Sequence, residues 1–272
     1  MGKKTVVFGS FVVDLMGRTP HLPAAGETVK GTVFKMGPGG KGFNQGVAAH
    51  KAGADVTMVT KLGRDTFADI ALNTMKELGM KQDRILYSDD TETGCALIMV
   101  DENTSQNEIV VILGSCNTIS DAEVDSLEDL LDGCEYMLTQ LETNVSSVER
   151  IVDIACKKGV KVILNTAPVQ PISDELLSKV DLITPNEVEA EILTGVKVDS
   201  EEAADKAAEW FFGKGVKRVL ITLGGRGVYI NTGDKKGIIP AYKVNAIDTT
   251  GAGDAFNGGL LAALAEDKDI WE

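Results

Sequence analysis

The stretch "DTTGAGDAFNGG", Asp248–Gly259, sets small residues and a carboxylate at the start of an apolar run. Gly251, Ala252 and Gly253 stand where that run turns helical. The first N–H groups of a helix have no intrahelical acceptor, so they can face an anion. The glycine spacing is not G-x-G-x-x-G, so the dinucleotide fingerprint does not fit. Asp254 falls in the first helical turn. A carboxylate there stabilises a helix by about 0.3–1 kcal/mol. Beside an anion cradle, the same carboxylate can act as general base on an acceptor hydroxyl, as in phosphoryl transfer. The residues alone leave both readings open.

Three other stretches have chemical content. "MGPGGKGFNQG", Met36–Gly46, surrounds Lys41 with glycines and leads into a helix. It fails the Walker A pattern, yet its glycines permit close backbone approach to a ligand. Lys41 can meet a phosphate there, and Asn44 can hydrogen-bond a hydroxyl. "ITLGGRGVYI" holds Gly224, Gly225 and Gly227 between two strand-like runs, which reads as a hairpin turn. In "TPNEVEAE", Asn186 and Glu189 are three apart and share a helix face. Oxygen ligands so paired suit Mg²⁺ held partly through water. The same pair also satisfies the pattern of a helix capping box.

The elements that must position these stretches alternate. "KTVVFGS" reads as a buried strand, a helix starts near Asn44, "DVTMVTKLG" is a strand and "TFADIALNTMKELGM" an amphipathic helix. This βαβα order predicts a mostly parallel sheet with helices on its faces. "ETVKGTVFKM" is a further candidate strand. Two strands around the polar turn Asp101–Asn107 predict an antiparallel hairpin. The alternation then resumes, and the last recognisable element is a helix over Gly253–Ala265. The expectation is one α/β domain over residues 1–272. A small β-element formed by about 12–37 and 93–117 would act as its lid.

The 272 residues are enough to bury a core without disulfides or metal. A net charge of -14 disfavours nucleic acid and anionic lipid as partners. No two of Cys95, Cys116, Cys134 and Cys156 form a CxxC pair, so free thiols in a reduced compartment are expected. With His21 and His50 the only histidines, a histidine metal site is not expected. No apolar stretch reaches spanning length, and a soluble, cytoplasmic protein is expected.

Together, "GGKGFNQGVAAHKAGADVTMVTKLGRD", "LITPNEVEAEILTG", "VLITLGGRGV" and "DTTGAGDAFNGGLLAAL" resemble the landmarks of the ribokinase/PfkB family of carbohydrate kinases, in order and over essentially the whole chain. The match is closest to the ribokinase branch. The resemblance implies a Rossmann-like α/β sandwich with a β-lid that often clasps a homodimer. It implies phosphorylation of a small sugar, for ribose at the C5 hydroxyl, with ATP, Mg²⁺ and K⁺. By the same resemblance Asp254 is the catalytic base, and Gly251, Ala252 and Gly253 form the anion hole. Asp14, Gly40, Lys41, Asn44 and Glu142 contact the sugar. Asn186, Thr222, Gly224 and Gly227 belong to the nucleotide site, and Glu189 holds Mg²⁺ through water. Asp248 and Thr250 belong to a monovalent-cation site.

Two departures stand out. Val12 occupies a position where the branch typically carries Asn, which favours a sugar lacking a hydroxyl, such as 2-deoxyribose. The chain also reads as lacking the family's tail beyond Glu272, which carries much of the adenine pocket. The alternatives are a kinase for another pentose, hexose or nucleoside, or a non-catalytic sugar- or nucleotide-binding protein. A dehydrogenase is set aside because no G-x-G-x-x-G follows the first strand.

Overall fold

The computed structural model describes residues 2–246 and 249–272. In chain order the elements begin with β1 (Lys4–Phe8), β2 (Val12–Thr19), β3 (Val33–Gly39), α1 (Lys41–Lys51), β4 (Asp55–Val59), β5 (Lys61–Leu62), α2 (Thr66–Leu78), β6 (Leu86–Tyr87), β7 (Thr93–Asp101) and β8 (Asn107–Gly114). They continue with α3 (Asp121–Asp125), β9 (Cys134–Thr139), α4 (Val145–Lys157), β10 (Lys161–Leu164), α5 (Asp174–Ser178), β11 (Leu182–Ile183), α6 (Glu187–Thr194) and α7 (Glu201–Gly213). The last are β12 (Val219–Thr222), β13 (Val228–Asn231), β14 (Lys236–Ile239) and α8 (Ala252–Ala265).

An eight-stranded sheet runs in the order β14-β13-β12-β11-β10-β9-β1-β4. β4 to β12 pair in parallel, while β13 and β14 are antiparallel additions at one edge. Strand alternation sends side chains to opposite faces. Val6 and Phe8 of β1 join a core with α4, α5 and α7; Val7 joins a second core with α1, α2 and α8. The result is a helix–sheet–helix sandwich. Strand order reverses beside β1, with β4 on one side and β9 on the other. Ligands of open α/β sheets bind at such a switch point, outside the carboxyl ends of the strands.

A second sheet has the order β3-β2-β7-β8, with β2 and β7 parallel and the outer pairs antiparallel. It is assembled from the two segments expected to form the lid. One face carries Phe34, Met36, Leu97 and Val110 exposed to solvent.

Several boundaries differ from the sequence reading. α1 starts at Lys41 rather than near Asn44, because Ser10 and Glu142 accept its first N–H groups. The strand expected over Glu27–Met36 forms only from Val33, and its partner β2 was not foreseen. "DVTMVTKLG" is broken into β4 and β5, and β14 extends the sheet past the last strand expected. The four cysteines are free. Among the described residues, no helix is long and apolar enough to cross a membrane.

Candidate active site

Two helix N-termini meet at the switch point, and only one is open. α1 begins after Gly40 with no side-chain cap of its own. Glu142, following β9, accepts from Lys41 N at 2.7 Å and from Ser10 Oγ at 2.5 Å. Ser10, following β1, in turn accepts from Gly42 N at 3.3 Å through its hydroxyl and from Phe43 N at 2.9 Å through its carbonyl. The protein's own groups thus fill the anion-binding end of α1. Gly42 is required by this packing, since a Cβ there would lie 2.5 Å from Gly9 C and Ser10 N. The glycines of the first signature serve close packing here.

α8 presents the opposite case. Gly251 caps it in the left-handed region at φ 73°, without a side-chain cap. Ala252, expected in the anion hole, donates instead to Thr249 O at 3.1 Å. Among the described residues, the N–H groups of Gly251, Gly253 and Asp254 have no acceptor. These three face outward at the positive end of the helix dipole. Thr250 lies in the preceding turn, and Asp248 lies outside the described residues.

Asp254 is held on both oxygens. Gln45 Nε2 donates to Oδ1 at 3.0 Å and Asn44 Nδ2 to Oδ2 at 3.2 Å. Asn44, expected to touch the sugar, therefore also holds this carboxylate. Asp14 on β2 completes a group of three carboxylates. Burial first, then the like charges of Glu142 and Asp254, push its carboxyl from 3.8 up to about 6.

Folding therefore favours protonated Asp14. The stability this supplies is complete below about pH 3.8 and is lost as pH rises through about 6. At pH 8 the charged, half-buried side chain is a net cost. Asp14→Asn is expected to exceed the parent in stability by on the order of 1 kcal/mol at pH 8, after allowance for solvent screening. The difference should vanish toward pH 4. Urea titrations at both pH values check this, and equal stability at pH 8 contradicts it.

Asn186 and Glu189 form the complete capping box of α6: Asn186 Oδ1 accepts from Glu189 N at 2.8 Å, and Glu189 Oε2 accepts from Asn186 N at 3.0 Å. Glu189 also accepts from Thr166 Oγ1 at 2.9 Å. With these lone pairs engaged, the pair is suited to a cation held through water rather than stripped of it. Among the described residues, no three His, Cys, Asp or Glu gather as a metal cage.

Three cavities run along the first turn of α8. The first, of 440 Å³, is mostly apolar, with Val228, Ile239, Tyr242 and Phe256 beside Thr222, Gly224 and Gly227. The second, of 200 Å³, is polar and is lined by Lys41, Asn165, Asn186, Glu189, Gly253 and Asp254. The third, of 620 Å³, is lined by Asp14, Phe43, Asn44, Thr250, Gly251 and Asp254 among others. Thr222 and Gly253 are shared by the first two, and Gly251 and Asp254 by the second and third. Lys41, grouped with the sugar contacts by resemblance, lines the middle cavity.

The profile of the pfkB family carbohydrate kinases matches residues 3–272. The chain belongs to this family. It is a carbohydrate kinase, transferring a phosphoryl group to a sugar. This kinase is 43% identical to the ribokinase of Haemophilus influenzae, over 100% of its own length and 89% of that protein's. It is 38% identical to the deoxyribokinase of Salmonella typhi, over 97% of its own chain and 86% of the other. The structure of Arabidopsis thaliana ribokinase complexed with ribose and ATP superposes with a TM-score of 0.90, at 28% identity, covering 99% of this chain and 88% of that one. Family membership sets aside the non-catalytic alternative.

In this kinase the residues that sequence reasoning missed are uncharged. Ser10, Gln45, Gln140, Asn165, Thr184 and Asn257 all lie buried behind the site. Gln140, Asn165 and Thr184 each follow the carboxyl end of a central strand, β9, β10 and β11. That shared position is the one signal that could have found them, because a switch-point site draws on the residues just past the strands.

Proposed function

We propose that this kinase transfers the γ-phosphoryl group of MgATP to a small sugar, with O5 of ribose as the acceptor. The observation that carries this reading is the row of three cavities along one helix start: apolar for a base, polar for phosphates, carboxylate-lined for a sugar. The Thr222–Gly227 hairpin and Phe256 flank the base. Asp14 and Asn44 hold sugar hydroxyls by hydrogen bonds. Asp254 takes the proton of the attacking hydroxyl as the new P–O bond forms. The N–H groups of Gly251, Gly253 and Asp254, with Lys41, offset the charge on the moving phosphoryl without reorganising. Magnesium, when bound, neutralises phosphate charge, and Glu189 with Asn186 would hold it through water. The four-stranded sheet, which brings Asp14 over the site, serves as the lid and limits wasteful hydrolysis of ATP.

A second acceptor, 2-deoxyribose, is favoured by Val12. It is 2% exposed, lies two residues before Asp14 on β2 and shares its strand face. A site that hydrogen-bonds a hydroxyl rejects the analogue lacking it by about 10⁴–10⁵, whereas an apolar wall discriminates by only about 10². The ratio of kcat/KM for ribose over 2-deoxyribose is therefore expected to stay below about 10². A much larger ratio would remove Val12 as a determinant. If neither pentose elicited ADP release with MgATP, the pentose reading itself would fall.

A further inference from the structure

Behind Asp254 lies a chain of amides that has no place in the roles above. Gln45 is fully buried. Its Nε2 donates both to Asp254 Oδ1 at 3.0 Å and to Asn165 Oδ1 at 3.1 Å. Its Oε1 accepts from Gln140 Nε2 at 2.7 Å. Asn165 Nδ2 donates to the main-chain oxygen of Thr184 at 2.8 Å. Thr184 Oγ1 donates to Asn257 Oδ1 at 2.6 Å, and Asn257 Nδ2 donates to Gly253 O at 2.9 Å.

The direction of every amide in this chain is fixed at its ends. Thr184 O can only accept, so Asn165 must turn its nitrogen there and its oxygen toward Gln45. A carboxylate also only accepts, so Gln45 must present its nitrogen to both neighbours. Gln140 then donates to the one oxygen that Gln45 has left. The chain has a single self-consistent arrangement, and it meets α8 twice, at the Asp254 side chain and, through Thr184, at Asn257, whose own Nδ2 donates back along the helix to Gly253 O. Gln45 and Gln140 line none of the three cavities, so direct contact with a ligand is not their role.

We infer that Gln45 is a positioning residue for the catalytic base, setting the carboxylate of Asp254 through a relay of neutral amides anchored on the central strands. The inference rests on the reading of Asp254 as the base. The neutrality of the donors matters. Lys41 lines the same polar cavity as Asp254, and a carboxylate that swung onto its ammonium would lose basicity toward the sugar hydroxyl. Amide donors hold the oxygen in place while leaving it able to accept a proton.

Gln45→Met keeps the length and removes both donors. Its kcat is expected to fall about 10- to 100-fold, with KM for ribose and for ATP within about threefold of the parent. In the Asp254→Asn background the same change should cost almost nothing, because the group it positions is gone. Gln140→Leu leaves the donors of Gln45 in place but releases its orientation, and should lower kcat about three- to tenfold. This milder variant carries the test if Gln45→Met does not fold. A kcat within twofold of the parent in the folded variants, a loss confined to KM, or a full additive penalty in the double variant would overturn the inference. If Asp254→Asn alone kept normal turnover, the reading of the base would fail instead, and the two failures are distinguishable.

Discussion

Asp254→Asn is expected to lower kcat by about 10²–10⁴, with KM for both substrates within a fewfold and no loss of fold. Asparagine has the same shape, and its oxygen can still accept from Gln45 Nε2, as Asp254 Oδ1 does at 3.0 Å. Its amide nitrogen would replace Oδ2 and meet Asn44 Nδ2, now at 3.2 Å, as donor against donor. Asn44 is half-buried and can turn its own oxygen to that position, so the geometry survives. What cannot be restored is a group that takes the proton from the sugar. The helix dipole favours a negative charge in this turn by about 0.3–1 kcal/mol, which bounds the stability change. Steady-state ADP production, read beside a thermal melt, checks the result. Near-normal turnover would show that proton removal is not this residue's work.

The second large effect is at Gly258, where α8 crosses α1. A Cβ there would lie 2.5 Å from Ala48 Cβ, 2.6 Å from Gln45 O and 2.7 Å from Ala49 N. Helix propensity favours alanine over glycine by about 1 kcal/mol. Overpacking costs about 1–3 kcal/mol, occasionally more. Two of the three contacts are main-chain atoms, which cannot rotate away, so overpacking should win. Gly258→Ala is expected to lose about 1–2 kcal/mol of stability. It should also lose on the order of 10² in kcat/KM, because parting the helices moves Asp254 off Asn44 and Gln45. Denaturant titration and kinetics test both parts. A higher melting temperature would mean that propensity had prevailed.

The sandwich was legible because its strands hold short apolar runs such as the "VVF" of β1 and its helices carry an apolar stripe. The hairpin around Asp101–Asn107 was legible from its polar turn. β2 was not, because "VVDLMGRT" mixes a carboxylate, a glycine and an arginine into a strand whose pairing with β7 is distant in sequence. β14, "KGII", follows a charged turn and is held mainly as an edge partner of β13. At the site, a helix starting at Gly251–Gly253 with Asp254 in its first turn was legible from the residues, whereas the role of Asp254 came only with the family resemblance. The plugging of α1 was not, since Glu142 is separated from Lys41 by 101 positions. Gln45 lies inside the first signature but is uncharged, Asn165 has neither charge nor motif, and their meaning exists only once a separation of 120 positions is closed. For the same reason Asn186 and Glu189 supported two readings in sequence, and the cap is the one their hydrogen bonds display.

The bond between Gln45 and Asp254 spans 209 positions, and this separation bears on how the protein is made. At roughly 5–20 residues per second, a ribosome needs roughly 10–40 s to traverse that interval. Throughout it, the amide of Gln45 lacks its carboxylate, and Phe43, Ala49 and Met58 lack the Leu261 and Ala262 that join their core. A nascent chain that has emerged only through β14 therefore displays an apolar helix face with a buried donor left open, the kind of surface on which chaperones act. Docking of α8 closes that face and brings Asp254 to Gln45 in the same step.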